Sequence, residues 1–420
     1  MRVLLIAPFC NPTHTSEPLV AYNLFRALSR ESPHLRLATY SFNENALRAA
    51  GVQPDQVIYV DGIEKERGRF WQTLRRLPRI APLWRALVHI HFERSIWRLY
   101  GKKIRQGHFD IIHRITPVSP TVPSPLAVWS DIPMVVGPVN GGLPFPKAFR
   151  RILHRERDFL RYVRGAWVLI PYARSTFRRA AAILAAFDHT IERLPRAARA
   201  RAINAPEVGA DCRRFSGSRR CSGALPLKFL FVGRLVPFKC ADVAIRAFAA
   251  SDILRRHRLL IVGTGPEEAR LKELAVELSV GDTVIFTGSL ANHEVAQIMA
   301  DAAVFVFPSI RDAGAAVIAE AMMAGLPVVA VNYGPGRHLL TEETGVRIPL
   351  GDEASHIRGF TTAMEDLVRY PERRNEMGAA AQDRARAILS WDARARKIIQ
   401  VYEWVLGRRQ VPPNFFEPEP

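Results

Sequence analysis

Cysteine is scarce in this chain of 420 residues, which contains only four. They are Cys10, Cys212, Cys221 and Cys240, and no two of them have C-x-x-C spacing. A zinc site or a disulfide framework needs cysteines that are clustered or numerous. The sequence therefore predicts no metal held by cysteines and is typical of a protein from a reducing compartment.

Long uninterrupted apolar runs are also missing. The longest, residues 313–331, contains Glu320, Gly325 and Pro327, which argues against a membrane-spanning helix. The first apolar run ends at Pro8, so it is too short for a signal peptide and favours a buried strand. We therefore expect the protein to stay inside the cell, in the cytoplasm.

Acidic residues are under-represented in one half of the chain. Residues 1–207 contain 32 Lys and Arg against 15 Asp and Glu, a net charge of +17, whereas residues 208–420 contain 27 against 25, a net charge of +2. Such an excess favours an anionic membrane surface, nucleic acid or an acidic substrate as partner. Zinc-finger spacing, paired aromatic RNP-like strands and a lysine-rich tail are missing, so we expect no nucleic acid.

Short apolar runs alternate with amphipathic stretches along the chain. The first series includes RVLLIAP, LRLATYSF and DIIHRI, and the alternation restarts with LKFLFVGRL after a segment rich in Gly, Ser and Arg. Two such series predict an α/β protein with two Rossmann-like, doubly wound parallel sheets. The predicted divisions are a first domain (1–206), a linker (207–226), a second domain (227–388), a C-terminal helix (389–410) and a tail (411–420).

One helical stripe in the first half has two interpretations. Large apolar side chains recur at helical spacing over residues 84–99, and arginines and lysines cover much of the rest of that segment. The stripe is either the core face of a helix or a membrane anchor. We expect the core face, because it is the commoner use of such a pattern.

Four loops in the second half follow predicted strands, where open parallel sheets bind their ligands. Three of them contain, in turn, Gly233, Arg234 and Lys239; Gly263 and Gly265; and Gly288 and Ser289. One Gly-x-Gly is weak evidence, but four loops that converge on one edge predict a binding site. Solvated loop charge is the alternative for the two basic residues.

The fourth loop opens the segment SIRDAGAAVIAEAMMAGLPVV, which holds two carboxylates eight positions apart. If a helix begins near Ala313 and ends at Gly325, Asp312 caps it, and the carboxylates lie about 12 Å apart along it. That separation excludes a shared-proton pair but fits the two ends of an extended ligand. The helix start would offer backbone N–H groups to an anion such as a diphosphate, from Gly314, Ala315 and Ala316. Glu320 could instead pair with an arginine, and Asp312 could be a cap alone.

Five motifs in this order and spacing resemble the second domain of the group 1, retaining glycosyltransferases of family 4. They are FVGRLVPFK, IVGTGP, FTG, DAAVFVFPS and D-x7-E-A-M-x-A-G-x-P-V-V, within about residues 203–404. The resemblance implies the GT-B fold, in which two such domains face each other across a cleft. It implies that Glu320 binds ribose hydroxyls and that Asp312 faces the donor sugar. It also implies that Arg234 and Lys239 hold the diphosphate, and that glycines and small residues of the four loops contact the donor.

The resemblance extends more loosely to the first half. DIIHRITPVSP looks like the family's strand that ends in a histidine near the transferred sugar, here His113. GPVNGGLP resembles a glycine-rich loop, which implies acceptor contacts for Asn140, Gly141 and Gly142. A satisfied core histidine and a simple tight turn are the alternatives.

Some segments depart from the family pattern. The first acid of the motif is Asp rather than the usual Glu, and DAGA replaces the commoner Glu-Gly-Phe-Gly. The first loop, FCNPTHTSE, lacks the paired glycines of many members, and NYGPGRHLL stands where a Gly-Gly-Pro-x-Glu run is commoner. These departures concern contacts with the sugar and the acceptor.

The resemblance implies a retaining hexosyltransferase that moves a sugar from a nucleoside diphosphate to a glycan or lipid-linked acceptor. Cell-surface polysaccharide or glycolipid synthesis is the expected setting, with peripheral contact to the inner face of the membrane. No Asp-x-Asp motif is present, so we expect metal independence and no cofactor, with catalysis resting on His113, Arg234, Lys239 and Asp312. A nucleotide-sugar epimerase or hydrolase and a non-catalytic nucleotide-sugar-binding protein are the alternatives.

Overall fold

The computed structural model describes residues 1–62, 81–149, 170–215, 225–312 and 314–418. The side chains of residues 81–85 and of residue 147 are also outside the description. Ala313, residues 216–224 of the predicted linker and most of the basic stretch 147–167 therefore lie outside the described residues. Within the described part, no helix is long and apolar enough to cross a membrane.

The chain divides into two compact units, each built from more than one segment. The first unit contains Met1–Gly142, Phe159–Glu207 and Trp391–Phe415. The second contains Leu143–Asp158, Val208–Ser390 and Phe416–Pro420. The chain thus passes to the second unit after Glu207 and returns to the first at Trp391.

The first unit contains a seven-stranded sheet in which all the strands are parallel. The order across the sheet is β3-β2-β1-β4-β5-β6-β7. Its strands are β1 (Val3–Ile6), β2 (Leu35–Tyr40), β3 (Val57–Val60), β4 (Ile111–Arg114), β5 (Met134–Val139), β6 (Ala182–Ala185) and β7 (Ala202–Asn204). The sequence runs outward from the central β1 in both directions, which is the doubly wound arrangement.

Helices connect these strands. They are α1 (Glu17–Glu31), α2 (Glu44–Ala49), α3 (Ala81–Arg105), α4 (Leu126–Trp129), α5 (Ala173–Arg179), α6 (Asp188–Ile191) and α7 (Arg196–Arg199). Strands β1, β5 and β6 are uniformly apolar because both faces of the sheet are covered. Alternate residues of β1 show this: Val3 and Leu5 belong to one apolar cluster, and Leu4 and Ile6 belong to another.

The second unit contains a six-stranded parallel sheet in the order β10-β9-β8-β11-β12-β13. The strands are β8 (Lys228–Val232), β9 (Arg258–Val262), β10 (Val284–Gly288), β11 (Val304–Phe307), β12 (Val328–Val331) and β13 (Gly345–Ile348). Its helices are α8 (Ala241–Ala249), α9 (Glu268–Glu277), α10 (Asn292–Asp301), α11 (Ala316–Met323), α12 (Pro335–Leu339), α13 (Glu353–Arg369) and α14 (Pro371–Arg384). The expectation of two Rossmann-like parallel sheets is confirmed.

The last helix, α15 (Trp391–Val405), packs in the first unit. Its residues Ile398, Val401 and Tyr402 are buried in the same apolar cluster as α1, and Trp391 and Trp404 pack against that cluster. These aromatic residues thus contribute to the core of the first unit. Residues far apart in the sequence therefore complete one core.

The stripe over residues 84–99 lies on α3 and is partly buried and partly exposed. Phe92 and Ile96 are fully buried beneath the first sheet, as a core face requires. Leu99, at the end of the stripe, is 61% exposed, so the expectation of a continuous core face is wrong at that position. Helix α3 therefore carries an apolar side chain among exposed cations.

Candidate functional site

The loops after β8 and β9 meet at the carboxyl edge of the second sheet. The N–H of Gly233 donates to the carbonyl of Val262 at 2.9 Å, and that of Leu235 donates to Thr264 at 2.9 Å. A Cβ atom at Gly263 would overlap the carbonyl oxygen of Gly233, and one at Gly265 would overlap that of Leu235. Close packing between the two loops therefore explains both glycines, and their role in donor binding stays a prediction.

The third loop is more open. Gly288 has φ of +73°, and a Cβ atom there would meet nothing within 4 Å. Its carbonyl accepts a hydrogen bond from the N–H of Gly263 at 2.8 Å, which joins this loop to the previous one. Ser289 is exposed. The space beside Gly288 leaves its backbone accessible to a ligand.

Lys239 and Asp312, from the first and fourth loops, form an ion pair. Both side chains are largely buried, with 15% and 16% of their surface exposed. The ammonium group also lies 5.0 Å from the ring centroid of Phe307, at the end of β11. The resemblance implied that Lys239 holds the diphosphate and that Asp312 faces the donor sugar. Here the two residues contact each other, and each compensates the charge of the other.

Backbone contacts around Phe238 hold these two loops together. The carbonyl of Phe238 accepts the N–H of Ile310 at 3.1 Å and the hydroxyl of Ser309 at 3.3 Å. Lys239 follows directly, at the end of a short 3₁₀ turn. The position of its ammonium group is therefore set by backbone contacts of both loops.

Arg234 differs from Lys239 in being exposed. Within the described residues, it takes part in no ion pair. A guanidinium group keeps its charge at any physiological pH and can bind two phosphate oxygens at once. Arg234 is therefore an exposed cation at this edge that can meet an anionic ligand.

Helix α11 begins later than the sequence predicted. Its first residue is Ala316, and Ala315 before it has a left-handed conformation with φ of +49°. The carboxylate of Asp312 accepts the N–H of Ala315 at 3.2 Å, so it closes a turn ahead of the helix and does not cap a helix that starts at 313. That N–H is therefore engaged by the protein, and the expectation that it faces an anion is wrong in this structure. The end of the helix is as expected, with Gly325 at φ of +79°.

Glu320 lies in the second turn of α11 and is partly buried. Burial raises the pKa of its carboxyl, and the positive charge of Arg214 acts in the opposite direction. Within the described residues, no hydrogen-bond donor contacts the carboxylate. A carboxylate in such surroundings without a protein donor must take its hydrogen bonds from water or from a ligand.

Arg214 is a residue that the sequence interpretation missed. It lies in the predicted linker (207–226), a segment rich in Gly, Ser and Arg. The structure places its charge near Glu320, about a hundred positions further along the chain. No local motif signals an electrostatic interaction between residues so far apart in the sequence, so only the fold could reveal it.

The expectation of a catalytic role for His113 is contradicted by its position. His113 is completely buried at the end of β4. Its Nε2–H donates to the carbonyl of Gly137 at 2.6 Å, and its Nδ1 accepts the hydroxyl of Tyr402 at 2.6 Å. Burial lowers the pKa of His113 to about 3, with a further lowering by Arg114 and opposition from the Gly137 bond. Both ring nitrogens are therefore used within the first unit, and the residue is structural.

The loop predicted to bind the acceptor is held by its own neighbours. Asn140 is buried, and its amide group donates to the carboxylate of Glu207. Gly141 exchanges hydrogen bonds with the hydroxyl of Thr190, at 3.3 Å and 3.1 Å. A side chain at Gly142 would overlap that of Arg193. These contacts explain the residues as parts of a tight loop, and acceptor binding stays a prediction.

The carboxyl edge of the second sheet thus combines an exposed arginine, a lysine–aspartate pair and a carboxylate that lacks a donor. Cations of this kind bind phosphate oxygens, and carboxylates accept hydrogen bonds from hydroxyl groups. Within the described residues, no three His, Cys, Asp or Glu side chains come together as metal ligands would. The arrangement fits a ligand that carries both phosphates and hydroxyls.

Comparisons with known proteins agree with this geometry. The family model described as "Glycosyl transferases group 1" matches residues 225–384. The D-inositol 3-phosphate glycosyltransferase of Thermomonospora curvata is 35% identical over 184 residues, 41% of this chain and 42% of that protein. The GDP-mannose-dependent alpha-mannosyltransferase of Mycobacterium tuberculosis is 34% identical over 180 residues, 43% of each chain. The match thus spans about two fifths of the length of these relatives.

A solved structure matches over nearly the whole chain. Sucrose-phosphate synthase from Thermosynechococcus elongatus has a TM-score of 0.65 and 19% identity, covering 97% of this chain and 100% of that one. At that identity the likeness concerns the fold alone, which is GT-B. The second unit is therefore similar to the group 1 glycosyltransferases over residues 225–384, within a chain of GT-B fold.

Proposed function

We propose that this protein is a retaining glycosyltransferase that moves a hexose from a nucleoside diphosphate-sugar to a glycan or lipid-linked acceptor. The observation that carries the proposal is Glu320, a partly buried carboxylate with a raised pKa and no donor among the described residues. The hydroxyl groups of a ribose would supply the missing donors. A nucleoside diphosphate also fits the cations of the neighbouring loops.

Different residues of the second unit would then bind different parts of the donor. Glu320 binds the ribose, Arg234 binds the diphosphate, and Asp312 turns from Lys239 to a hydroxyl of the sugar. Lys239 is then released to bind the diphosphate, so the ion pair seen between the two holds the site ready for a donor. The small residues before α11 leave room for the donor to approach the backbone.

In the proposed reaction the bond between the sugar's anomeric carbon and the diphosphate oxygen breaks. A bond from the acceptor oxygen to that carbon forms on the same face, so the anomeric configuration is retained. The acceptor proton passes to the departing diphosphate, whose developing charge Arg234 and Lys239 stabilise. No protein nucleophile is needed, which agrees with the burial of His113.

The setting proposed is the cytoplasm, with peripheral contact to an anionic membrane and a role in cell-surface polysaccharide or glycolipid synthesis. The name of one relative, a GDP-mannose-dependent alpha-mannosyltransferase, supports a nucleoside diphosphate-sugar as donor. The exposed face of α3 supports membrane contact, because it carries five exposed cations: Arg94, Arg98, Lys102, Lys103 and Arg105.

The test is transfer from a panel of UDP-, GDP- and ADP-sugars, with wild-type protein and Glu320→Gln. We expect the substitution to lower transfer about 100-fold, since removal of one charged contact in such sites typically has that effect. Glu273→Gln, an exposed change on α9, is the matched control and keeps full activity. Near-normal transfer by the Glu320 variant would refute the assigned site.

The same assay separates the alternatives. An epimerase or hydrolase consumes the labelled donor without an acceptor, whereas a transferase largely spares it. A binding protein shows a donor-dependent rise in melting temperature but no product with any acceptor.

Metal independence is tested by chelation. Because Arg234 and Lys239 supply positive charge at the proposed diphosphate site, we expect transfer to persist after dialysis against EDTA. Added Mg²⁺ should change the rate less than about twofold. Loss of activity with EDTA and its recovery with Mg²⁺ would contradict this part of the proposal.

A further inference from the structure

We propose that a cavity at the amino-terminal edge of the first sheet binds the phosphate group of a small organic ligand. The cavity has a volume of about 460 Å³ and lies where β1, β2, β3 and β4 begin, next to the last turns of α3. Since all the strands are parallel, this edge is opposite the carboxyl edge, where such sheets bind substrates. The proposal goes beyond the function given above and does not depend on turnover.

Basic side chains reach the cavity from several different elements. Three permanent cations and two histidines line it, against one carboxylate: Arg2, Arg36, Lys103, His34, His108 and Asp55. Arg2 precedes β1, Arg36 belongs to β2, and Lys103 belongs to α3. Asp110 compensates the charge of Arg2. Arg36 and Lys103 therefore supply the excess positive charge of this concave space, which favours an anion.

Two of these side chains are already fixed. Arg2 is held by Asp110, with its backbone N–H at 2.8 Å and its Nη2 at 2.6 Å from the carboxylate oxygens. The Nδ1–H of His108 donates to the carbonyl of Lys103 at 3.2 Å. An anion would therefore meet groups whose positions are largely set before it binds, which lowers the entropy cost of binding.

Arg36 and Lys103 are the residues expected to contact the phosphate. One guanidinium nitrogen of Arg36 donates to the carbonyl of Leu35 at 3.2 Å, which leaves its other N–H groups for a ligand. Lys103 is exposed, and its ammonium lies 5.2 Å from the ring centroid of Tyr100. Arginine and lysine in this arrangement bind phosphate oxygens by charge-assisted hydrogen bonds.

The remaining walls favour an organic ligand over inorganic phosphate. Pro54, Val57, Ile58, Phe109 and the ring of Tyr100 supply apolar surface. The volume is within the range of small-molecule sites and leaves room for a ring or a short chain beside the phosphate. The phosphate could belong to a soluble metabolite or to a lipid headgroup, since the exposed Leu99 is one turn away from Lys103.

Phenyl phosphate and inorganic phosphate are the probes, titrated by calorimetry into full-length protein saturated with UDP to occupy the donor site. We expect phenyl phosphate to bind more tightly than inorganic phosphate. The double variant Arg36→Gln, Lys103→Gln should weaken phenyl phosphate binding at least tenfold. Lys102→Gln, on the same helix but outside the cavity, should leave it unchanged. No binding, or equal binding by the double variant, would overturn the proposal.

A second variant guards against misfolding as the cause of lost binding. Asp55→Asn removes the one carboxylate that lines the cavity, so phenyl phosphate should bind several-fold more tightly. Weaker binding by this variant, with an unchanged melting temperature, would also overturn the proposal. Arg234→Ala should not change binding here, so failure of this site and failure of the donor site can be told apart.

Vesicles containing phosphatidic acid distinguish the two sources of the phosphate. If they displace phenyl phosphate, and if the double variant floats with them less than the charge-matched variant Arg256→Gln, Arg258→Gln does, the ligand is a lipid headgroup. If they do not displace it, the ligand is a soluble phosphate ester. Either vesicle result is compatible with a phosphate site. Whether the site exists is decided by the calorimetric comparison of the wild type with its variants.

Discussion

His113 and Glu320 are both buried to different degrees, but only the histidine has protein partners for its polar atoms. The neutral ring of His113 donates to Gly137 and accepts from Tyr402, so both ring nitrogens have hydrogen-bond partners. Glu320 has a raised pKa and no donor among the described residues. A polar group that the fold has satisfied is structural, whereas one that it has left without a partner points to a ligand.

The titration of His113 should make folding stability depend on pH. Its pKa falls from an ordinary value near 6.5 to about 3 in the folded protein, because burial disfavours the charged ring. The contribution of the neutral ring is therefore complete above about pH 6.5 and is lost as the pH falls toward 3. We expect the free energy of unfolding of the wild type to drop over this range more steeply than that of His113→Gln, measured by urea titration at several pH values.

Comparison of the two proteins at each pH isolates the histidine. Burial raises the pKa of Glu93 to about 7, against the opposing effects of Arg114 and hydrogen bonds from Leu126 and Ser124. That residue acts in the opposite sense: its contribution is complete below about pH 4.5 and is lost as the pH rises through 7. Glu93 is present in both proteins, so its contribution largely cancels in the difference between their free energies of unfolding. Parallel curves for the wild type and the variant would contradict the role given to His113.

The motifs predicted candidate site residues of the second unit but not the partners of those residues. Arg234, Asp312 and Glu320 follow the ends of strands, and alternation of apolar runs was enough to place them at one edge. The pairing of Lys239 with Asp312 depends on how two loops approach, and the sequence holds no local signal for that. His113 is a second example, because the local sequence around a histidine at a strand end does not show whether its ring is exposed or buried.

At the level of elements, the turn before α11 has an unusual residue for its conformation. Ala315 has φ of +49° and ψ of +54°, the left-handed region in which a Cβ atom crowds the backbone. The following helix starts three positions later than the sequence predicted, because Asp312 closes this turn first. Local propensity favours a helix through these alanines, and the side-chain contact to the backbone overrides it.

Replacement of Ala315 by glycine should stabilise the protein. Glycine removes the steric cost of the left-handed conformation, and its greater freedom in the unfolded chain offsets only part of the gain. We expect an increase of about 0.5 kcal/mol in the free energy of unfolding of Ala315→Gly, measured by urea titration. Ala316→Gly, in the first turn of α11, should be destabilising. If both variants lose stability equally, the left-handed conformation of Ala315 does not exist in solution.

At the level of the whole molecule, the strongest sequence feature is the uneven charge. The first half carries a net charge of +17, and the structure shows five exposed cations on α3 beside an exposed leucine. The apolar stripe predicted the helix correctly, because Phe92 and Ile96 bury its inner face. The periodicity could not show where the buried face ends, since Leu99 fits the same spacing but is exposed.

Membrane contact through α3 should depend on charge. We expect the wild type to float with vesicles rich in phosphatidylglycerol at low salt, less so at 0.5 M salt, and not with phosphatidylcholine vesicles, because salt screens exposed charges. The triple variant Arg94→Gln, Arg98→Gln, Lys102→Gln should float less. The matched control Arg256→Gln, Arg258→Gln, Arg358→Gln removes as many exposed charges from the second unit and should float normally. Equal flotation with both lipids would disprove the electrostatic contact.

The fold as a whole was more predictable than any site in it. Alternating apolar runs and amphipathic stretches repeat over hundreds of residues, so an error in one segment does not change the architecture. Sheet order follows from the doubly wound rule once the strands are known. Individual interactions, such as the electrostatic effect of Arg214 on Glu320, join distant segments, and each depends on details that no periodicity records.

The bond between His113 and Tyr402 joins residues 289 positions apart, which has a consequence for synthesis on the ribosome. The first unit cannot be finished when its own strands have emerged, because α15 fills part of its core and is made last. A nascent chain would expose the apolar face of α1 while some 180 further residues are translated. Truncation before Trp391 should therefore leave a product that aggregates or recruits chaperones, even though every strand of both sheets is present.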